Sequence, residues 1–141
     1  PPVPHGEGGH RSASVVMVLA DTGDGTVAHG SDIQLLDDQP VDILCDWAPD
    51  VLFVGGPPVY LLGNRTDILD AAAARLGRLA GASGTVVVDH HVMRSNEGAE
   101  WLDRQRVELR NVCSAADFMG RERTLLEANR KQLSKGRHRR R

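Results

Sequence analysis

Four β-branched residues in a row, Thr85-Val86-Val87-Val88, run straight into Asp89-His90-His91. A short, continuous apolar run of this kind reads as a strand buried on both faces, which belongs in a parallel or mixed sheet covered by helices. Sheets of that class place their sites outside the carboxyl ends of the strands. A carboxylate and two imidazoles at such a point are the side chains that bind divalent metal ions or move protons near neutral pH. The plainer reading of the same residues is a capped strand end with one hydrogen-bonded histidine beside the core.

The flanking sequence has to build the sheet around this strand. Residues 14–20 (SVVMVLA) and 26–29 (TVAH) alternate and branch as strands do. The link Asp21-Thr22-Gly23-Asp24-Gly25 between them has hairpin-turn composition, which predicts an antiparallel pair. Ahead of them, residues 1–10 hold three prolines and three glycines and read as an extended loop carrying His5 and His10. The second strand delivers His29-Gly30-Ser31-Asp32-Ile33-Gln34 at its end, a polar cluster with a glycine that permits close backbone approach.

A helix is predicted from Asp37-Asp38-Gln39-Pro40 to about Trp47, with acids at its positive end and a stop before Pro49. Residues 50–54 form a third strand that breaks at Gly55-Gly56-Pro57-Pro58, a rigid turn that serves as a pocket floor or as a plain connection. Residues 59–62 follow as apolar packing. Thr66 reads as the N-cap of a helix of about 14 residues, with Leu69, Ala72, Ala73, Leu76 and Leu79 on one face. Residues 50–88 are thus a strand–helix–strand unit with a right-handed crossover. Beyond His91 come an amphipathic helix over 97–106 anchored by Trp101 and Leu102, a turn near Ser114, and a final basic helix over 123–133. With no internal repeat and no linker, the expectation is one α/β domain over residues 1–134 and a basic tail over 135–141.

Composition narrows the class. The chain is 40% hydrophobic but only 4% aromatic, so its core must be aliphatic. No apolar run approaches the ~18 residues of a membrane span and no signal peptide is present, so no membrane is expected and the location is read as cytoplasmic. Cys45 and Cys113 lie in no metal-binding spacing and read as core residues. The net charge of −2 hides an asymmetry: residues 1–70 carry two basic side chains against eleven acids, and the remainder fifteen against eight. The tail Lys135-Gly136-Arg137-His138-Arg139-Arg140-Arg141 reads as a frayed, solvated end, with a contact for RNA or another polyanion as the alternative.

His5, Asp32 and His90/His91 each sit at the end of an extended segment, where loops of one sheet edge converge. Imidazole and carboxylate ligands gathered in that way are what a catalytic zinc, manganese or iron site requires. A metal so held lowers the pKa of bound water towards ~7.

Several stretches carry a resemblance, in order along the chain. They are Pro2-Val3-Pro4-His5-Gly6, the hairpin leading to His29-Gly30-Ser31-Asp32-Ile33-Gln34, Pro49 to Leu61, Val88-Asp89-His90-His91-Val92-Met93-Arg94, Ala115 to Gly120, and Leu125 to Lys131. Together these resemble an uncharacterised archaeal family of the metallo-β-lactamase superfamily, over nearly the whole chain up to the basic tail. The resemblance implies the C-terminal half of an αββα sandwich, a mixed sheet flanked by helices with a metal site at one edge. It suggests His5 as a ligand and Asp32 as the metal-bridging carboxylate at the catalytic centre. It suggests His90 as the last ligand, nearest the strand end, with His91 as the alternative. Asp89 would orient a ligand imidazole, and His29 would stand behind the ligands. The implied cofactor is one or two zinc ions, or manganese or iron, and the implied activity is hydrolysis of an ester or phosphodiester, including RNA.

This sequence departs from the superfamily in lacking its His-x-His-x-Asp-His motif, which belongs to an N-terminal half. The chain also starts at Pro1 and enters directly into a proline-rich segment, so it reads as part of a longer protein whose N-terminal half, or a second copy, completes the site. Two rivals remain. Val86-Val87-Val88-Asp89-His90-His91 also resembles the manganese-dependent phosphoesterases named for their Asp-His-His motif, although the strand over 51–54 ends in glycines and prolines where that family needs aspartate. The other is a non-enzymatic half-fold that acts as a scaffold or RNA-binding piece. Tyr60 reads as a packed tyrosine, with a hydroxyl offered to a substrate as the alternative, and Arg94 as a surface arginine, with a phosphate contact as the alternative.

Overall fold

A computed structural model describes residues 2–5, 14–63, 65–130 and 133–134. Its centre is a five-stranded mixed sheet in the order β3-β4-β5-β6-β7. β3 (Val18–Asp21) and β4 (Thr26–His29) form the expected antiparallel hairpin, while β5 (Val51–Val54), β6 (Thr85–Val88) and β7 (Val112–Cys113) continue in parallel. Each parallel step is bridged by helix: α1 (Asp38–Trp47) between β4 and β5, α2 (Val59–Leu62) and α3 (Thr66–Ala82) between β5 and β6, and α4 (Asn96–Arg106) between β6 and β7. A last turn of helix, α5 (Ala115–Phe118), follows β7.

Successive right-handed crossovers in one direction put the crossover helices α1, α3 and α4 on one side of the sheet, while Phe118 of α5 packs on Phe53 of the other face. The buried cluster agrees: Ala28, Leu52, Val54, Val86, Val88 and Val112 pack with Leu44, Leu76, Leu79, Trp101 and Leu102. These strand residues alternate with Val27, Val51, Phe53 and Val87, which share the opposite face. All three valines of β6 are buried, as its unbroken β-branched run requires. The five-stranded mixed sheet with its helices supports the α/β, mixed-sheet expectation, and residues 2–4 and 14–16 form a separate two-stranded sheet beside it.

Helix ends follow local chemistry. The Asp37 side chain accepts a hydrogen bond from the Gln39 N–H and caps α1, which stops at Ala48 in a left-handed conformation immediately before Pro49. Ser95 caps α4, and Ser114 forms a reciprocal capping box with Asp117.

Five expectations need correction. Residues 2–4 are a strand, β1 (Pro2–Pro4), paired antiparallel with β2 (Ser14–Val16). Only Val3 has an N–H to donate there, and its side chain is buried, so prolines on either side are tolerated in an edge pair. The segment 14–20 is two strands, separated at buried Met17, because β2 pairs with β1 and β3 with β4. Thr66 is the first helical residue and not the cap; Arg65 occupies that place without a side-chain bond, and α3 runs 17 residues, through Gly81. Residues 112–113, read as turn, add a parallel strand too short to show any period. Residues 121–125 are not helical and 126–129 form turns, so the final basic helix does not begin at 123. The tail over 135–141 and His10 lie outside the described residues. No helix among the described residues is long and apolar enough to cross a membrane.

Candidate metal centre

The carboxyl ends of β4, β5 and β6 meet at one edge of the sheet, as α/β sheets require of their sites. β4 ends at His29, and the chain turns through Ser31 with φ of 57° before presenting Asp32. β6 ends at Val88, and His90 follows with φ of 59° before His91 enters the interior. Left-handed backbone at non-glycine residues costs of order 1–3 kcal/mol and persists only where surrounding contacts hold it. Those contacts are visible. The Ser31 N–H donates to His29 Nδ1 at 2.9 Å, and the Asp89 carboxylate accepts the His90 N–H at 2.7 Å.

Between these two turns lies the end of β5. The Gly55 carbonyl accepts the N–H groups of His91 and Val92 at 3.0 and 3.3 Å. A Cβ on Gly55 would lie 3.1 Å from the Ile33 carbonyl oxygen, 3.3 Å from the His91 ring and 3.4 Å from Asp32 Oδ1. The glycine is what lets both side chains approach the backbone here.

Asp32 is the hub. Its Oδ2 accepts from His5 Nε2 at 2.8 Å, while Oδ1 stands 2.8 Å from His91 Nε2 and 3.0 Å from His90 Nε2. The two contacts at Oδ1 are close but off-line: this buried oxygen has no hydrogen bond among the described residues. One carboxylate whose two oxygens face different imidazoles has the form of a bridging ligand. His5, Asp32 and His91 each offer one ligand atom, and these atoms lie within 4.8 Å of one another. The Gln34 amide nitrogen, 3.4 Å from Nε2 of both His5 and His91, closes the cluster from the side.

The two histidines of the motif differ. His91 is buried, whereas the His90 side chain is half exposed. Burial pushes the His91 imidazole down to about 4, against the opposing pull of Asp32. It is therefore neutral at pH 7 and keeps a lone pair for a metal. Burial would raise Asp32, but the His5 hydrogen bond and the charges of His91, His90 and His5 outweigh it and hold the carboxyl below its usual range. The neutral His91 imidazole and the ionised Asp32 carboxylate are nitrogen and oxygen donors in their ligating states, and His5 adds a second imidazole to the set. That set suits zinc, and equally manganese or iron. The residues present, with an orphaned buried oxygen among them, fit such an ion.

His90, preferred over His91 at first sight for its place at the strand end, takes the rim instead. Its Nε2 is 3.2 Å from Arg94 Nη2, and Arg94 Nη1 donates to the Tyr60 hydroxyl at 3.1 Å. Among the described residues the Asp89 oxygens accept backbone N–H groups and no imidazole: the second takes the Ala115 N–H at 3.0 Å, so Asp89 ties the β6 turn to α5. His29 stacks on Phe53 with ring centroids 6.3 Å apart and lines a cavity of about 450 Å³ with Ser31, Asp32, Phe53 and His90. The sequence marks Arg94 and Tyr60 only through their lesser readings, as a phosphate contact and a substrate hydroxyl, and gives Gln34 no role in the site. Gln34 had one signal, its place in the Ser-Asp-Ile-Gln stretch.

Comparison with known proteins gives homology of one kind. The chain is 40% identical over 134 residues to a UPF0282 protein of Methanosarcina mazei, covering 94% of this chain and 44% of that protein. It is 36% identical over 136 residues to a UPF0282 protein of Pyrococcus horikoshii, covering 96% and 43%. With a UPF0282 protein of Methanopyrus kandleri it shares 38% over 136 residues, covering 94% and 46%. The chain thus spans less than half the length of these relatives. They are archaeal, as the resemblance expected, but their names state no activity and do not tie them to the metallo-β-lactamase superfamily. No protein-family model matches the chain. No solved structure matches it either.

Proposed function

We propose that this chain contributes part of a divalent-metal centre to a hydrolase of metallo-β-lactamase type. The observation that carries the reading is the Asp32 carboxylate, with His5 on one oxygen and His91 and His90 on the other, all within 3.0 Å. His5, Asp32 and His91 would hold the metal, with His90 as a further ligand at the exposed side. A zinc, manganese or iron ion held there would lower the pKa of bound water towards ~7. The protein's own work is to keep the His91 lone pair free by burial, to keep Asp32 ionised, and to hold the two turns rigid through Asp89 and Gly55. Further ligands for a complete centre would come from a complementary half of the fold or from a partner. The substrate is an ester or phosphodiester.

The test is metal content and hydrolysis measured on the intact protein and on Asp32→Ala. The substitution is expected to remove metal and activity together while the circular dichroism spectrum is unchanged. Retention of stoichiometric metal in the variant would overturn the assignment.

A further inference from the structure

We infer that Arg94 and Tyr60 form an oxyanion clamp beside the metal centre, one that takes a phosphoryl or carboxylate group of the substrate. This rests on the metal-centre reading above and narrows its substrate to an anionic one.

A cavity of about 480 Å³ opens next to His90 and is lined on its other sides by Arg94, Arg123, Thr124 and Leu125. Its charges are accounted for one by one. Both Asp89 oxygens accept backbone N–H groups, from His90 and Ala115. Arg123 is committed to Asp117 and Asp103 at 2.5–2.8 Å. Glu127 pairs with Arg130 at 3.3 Å. Arg94 alone of these has no carboxylate partner among the described residues; its hydrogen bonds there go to the Tyr60 hydroxyl and His90 Nε2.

That guanidinium is nevertheless held in place. Its carbon sits 6.0 Å from the centroid of the Tyr60 ring, within reach of a cation–π contact, and one nitrogen donates to the Tyr60 oxygen. A guanidinium has five N–H donors in a planar fork that matches the paired oxygens of a carboxylate or phosphate. Two of its nitrogens are engaged by the Tyr60 hydroxyl and the His90 ring, neither of them a carboxylate, which leaves its charge without an acidic partner beside the cavity. The Tyr60 hydroxyl accepts from Arg94 and still has a proton to donate to the same anion. His90 stands between this fork and Asp32, so an anion bound here lies against the metal centre.

The test is isothermal titration of the full-length protein with inorganic phosphate and, separately, with acetate, with metal content measured on the same samples. Wild type is expected to bind at least one anion. Arg94→Met is expected to weaken that binding about 10- to 100-fold, as loss of a charge-assisted pair does, with metal content unchanged. Tyr60→Phe should weaken it less. Binding of phosphate alone names a phosphoryl substrate and binding of acetate alone a carboxylate; both sustain the clamp. If Arg94→Met does not fold, Arg94→Lys is read in its place, since it keeps the charge and loses the fork. The clamp is overturned if neither anion binds, or if the Arg94 variant binds as wild type does. A wild-type protein without metal overturns the metal reading instead, and the titration then judges the clamp by itself.

Discussion

Gly98 shows how little room surrounds the motif histidines. A Cβ there would lie 1.9 Å from the Val92 carbonyl oxygen, and Val92 follows His91 directly. In an open helix, Gly→Ala stabilises by about 1 kcal/mol through backbone propensity. Here the overlap is with backbone, which yields only by shifting the turn that carries His91, and overpacking of that kind costs about 1–3 kcal/mol. The second effect exceeds the first. Gly98→Ala is expected to lower the thermal midpoint and to weaken metal binding with it, both measured on the same preparation. An unchanged or raised midpoint would rule out the close approach. The same crowding accounts for Gly55, where a Cβ would press on His91 and Asp32 together.

Among the elements, α5 carries the clearest pH dependence. Burial would raise Asp117, but hydrogen bonds from Arg123, from the Ser114 backbone and from the Ser114 hydroxyl, with the Arg123 charge, outweigh it and bring its pKa down to about 2. A folded pKa below the usual 3.8 stabilises the protein fully above the unfolded value, and that contribution is lost as pH falls from about 4 through about 2. At 1.36 kcal/mol per unit the contribution is on the order of 2 kcal/mol at pH 7. Asp117→Asn is therefore expected to lower the unfolding free energy at pH 7 by on the order of 1–2 kcal/mol. The gap to wild type should close near pH 2, as followed by denaturant titration. Because Asp89 joins the β6 turn to the first N–H of α5, loosening this cap also reaches the site.

In the whole molecule, the cluster draws one side chain from the end of β1, one from beyond β4 and one from beyond β6. An ion bound there ties together segments up to 86 positions apart, and a ligand that binds only the folded state stabilises it by mass action. Removing metal with a chelator is expected to lower the thermal midpoint of the full-length protein. At a metal concentration a hundredfold above Kd the difference corresponds to about 2.7 kcal/mol. In Asp32→Ala the chelator should have no further effect. A midpoint in wild type indifferent to chelation would contradict the proposal.

What the chain determined locally was readable from its residues. Four β-branched residues made β6, a glycine-rich link made the β3–β4 hairpin, and Asp37 with Pro40 placed the start of α1. Each of these rests on φ/ψ preference, side-chain spacing or a cap within a few residues, and such terms are encoded where they act. The same reasoning marked His5, Asp32, His90 and His91 as metal candidates, because each follows an extended segment. Only the tertiary structure decided their places: His91 inside, His90 at the rim, Asp89 on backbone N–H groups. It also brought in Gln34, 29 positions from His5 and 57 from His91, and joined Tyr60 to Arg94 across 34. β1 and β7 belong with these, since two or three residues become a strand only when a neighbour pairs with them. Burial and long-range contacts are properties of the assembled sheet, and no spacing along the chain contains them.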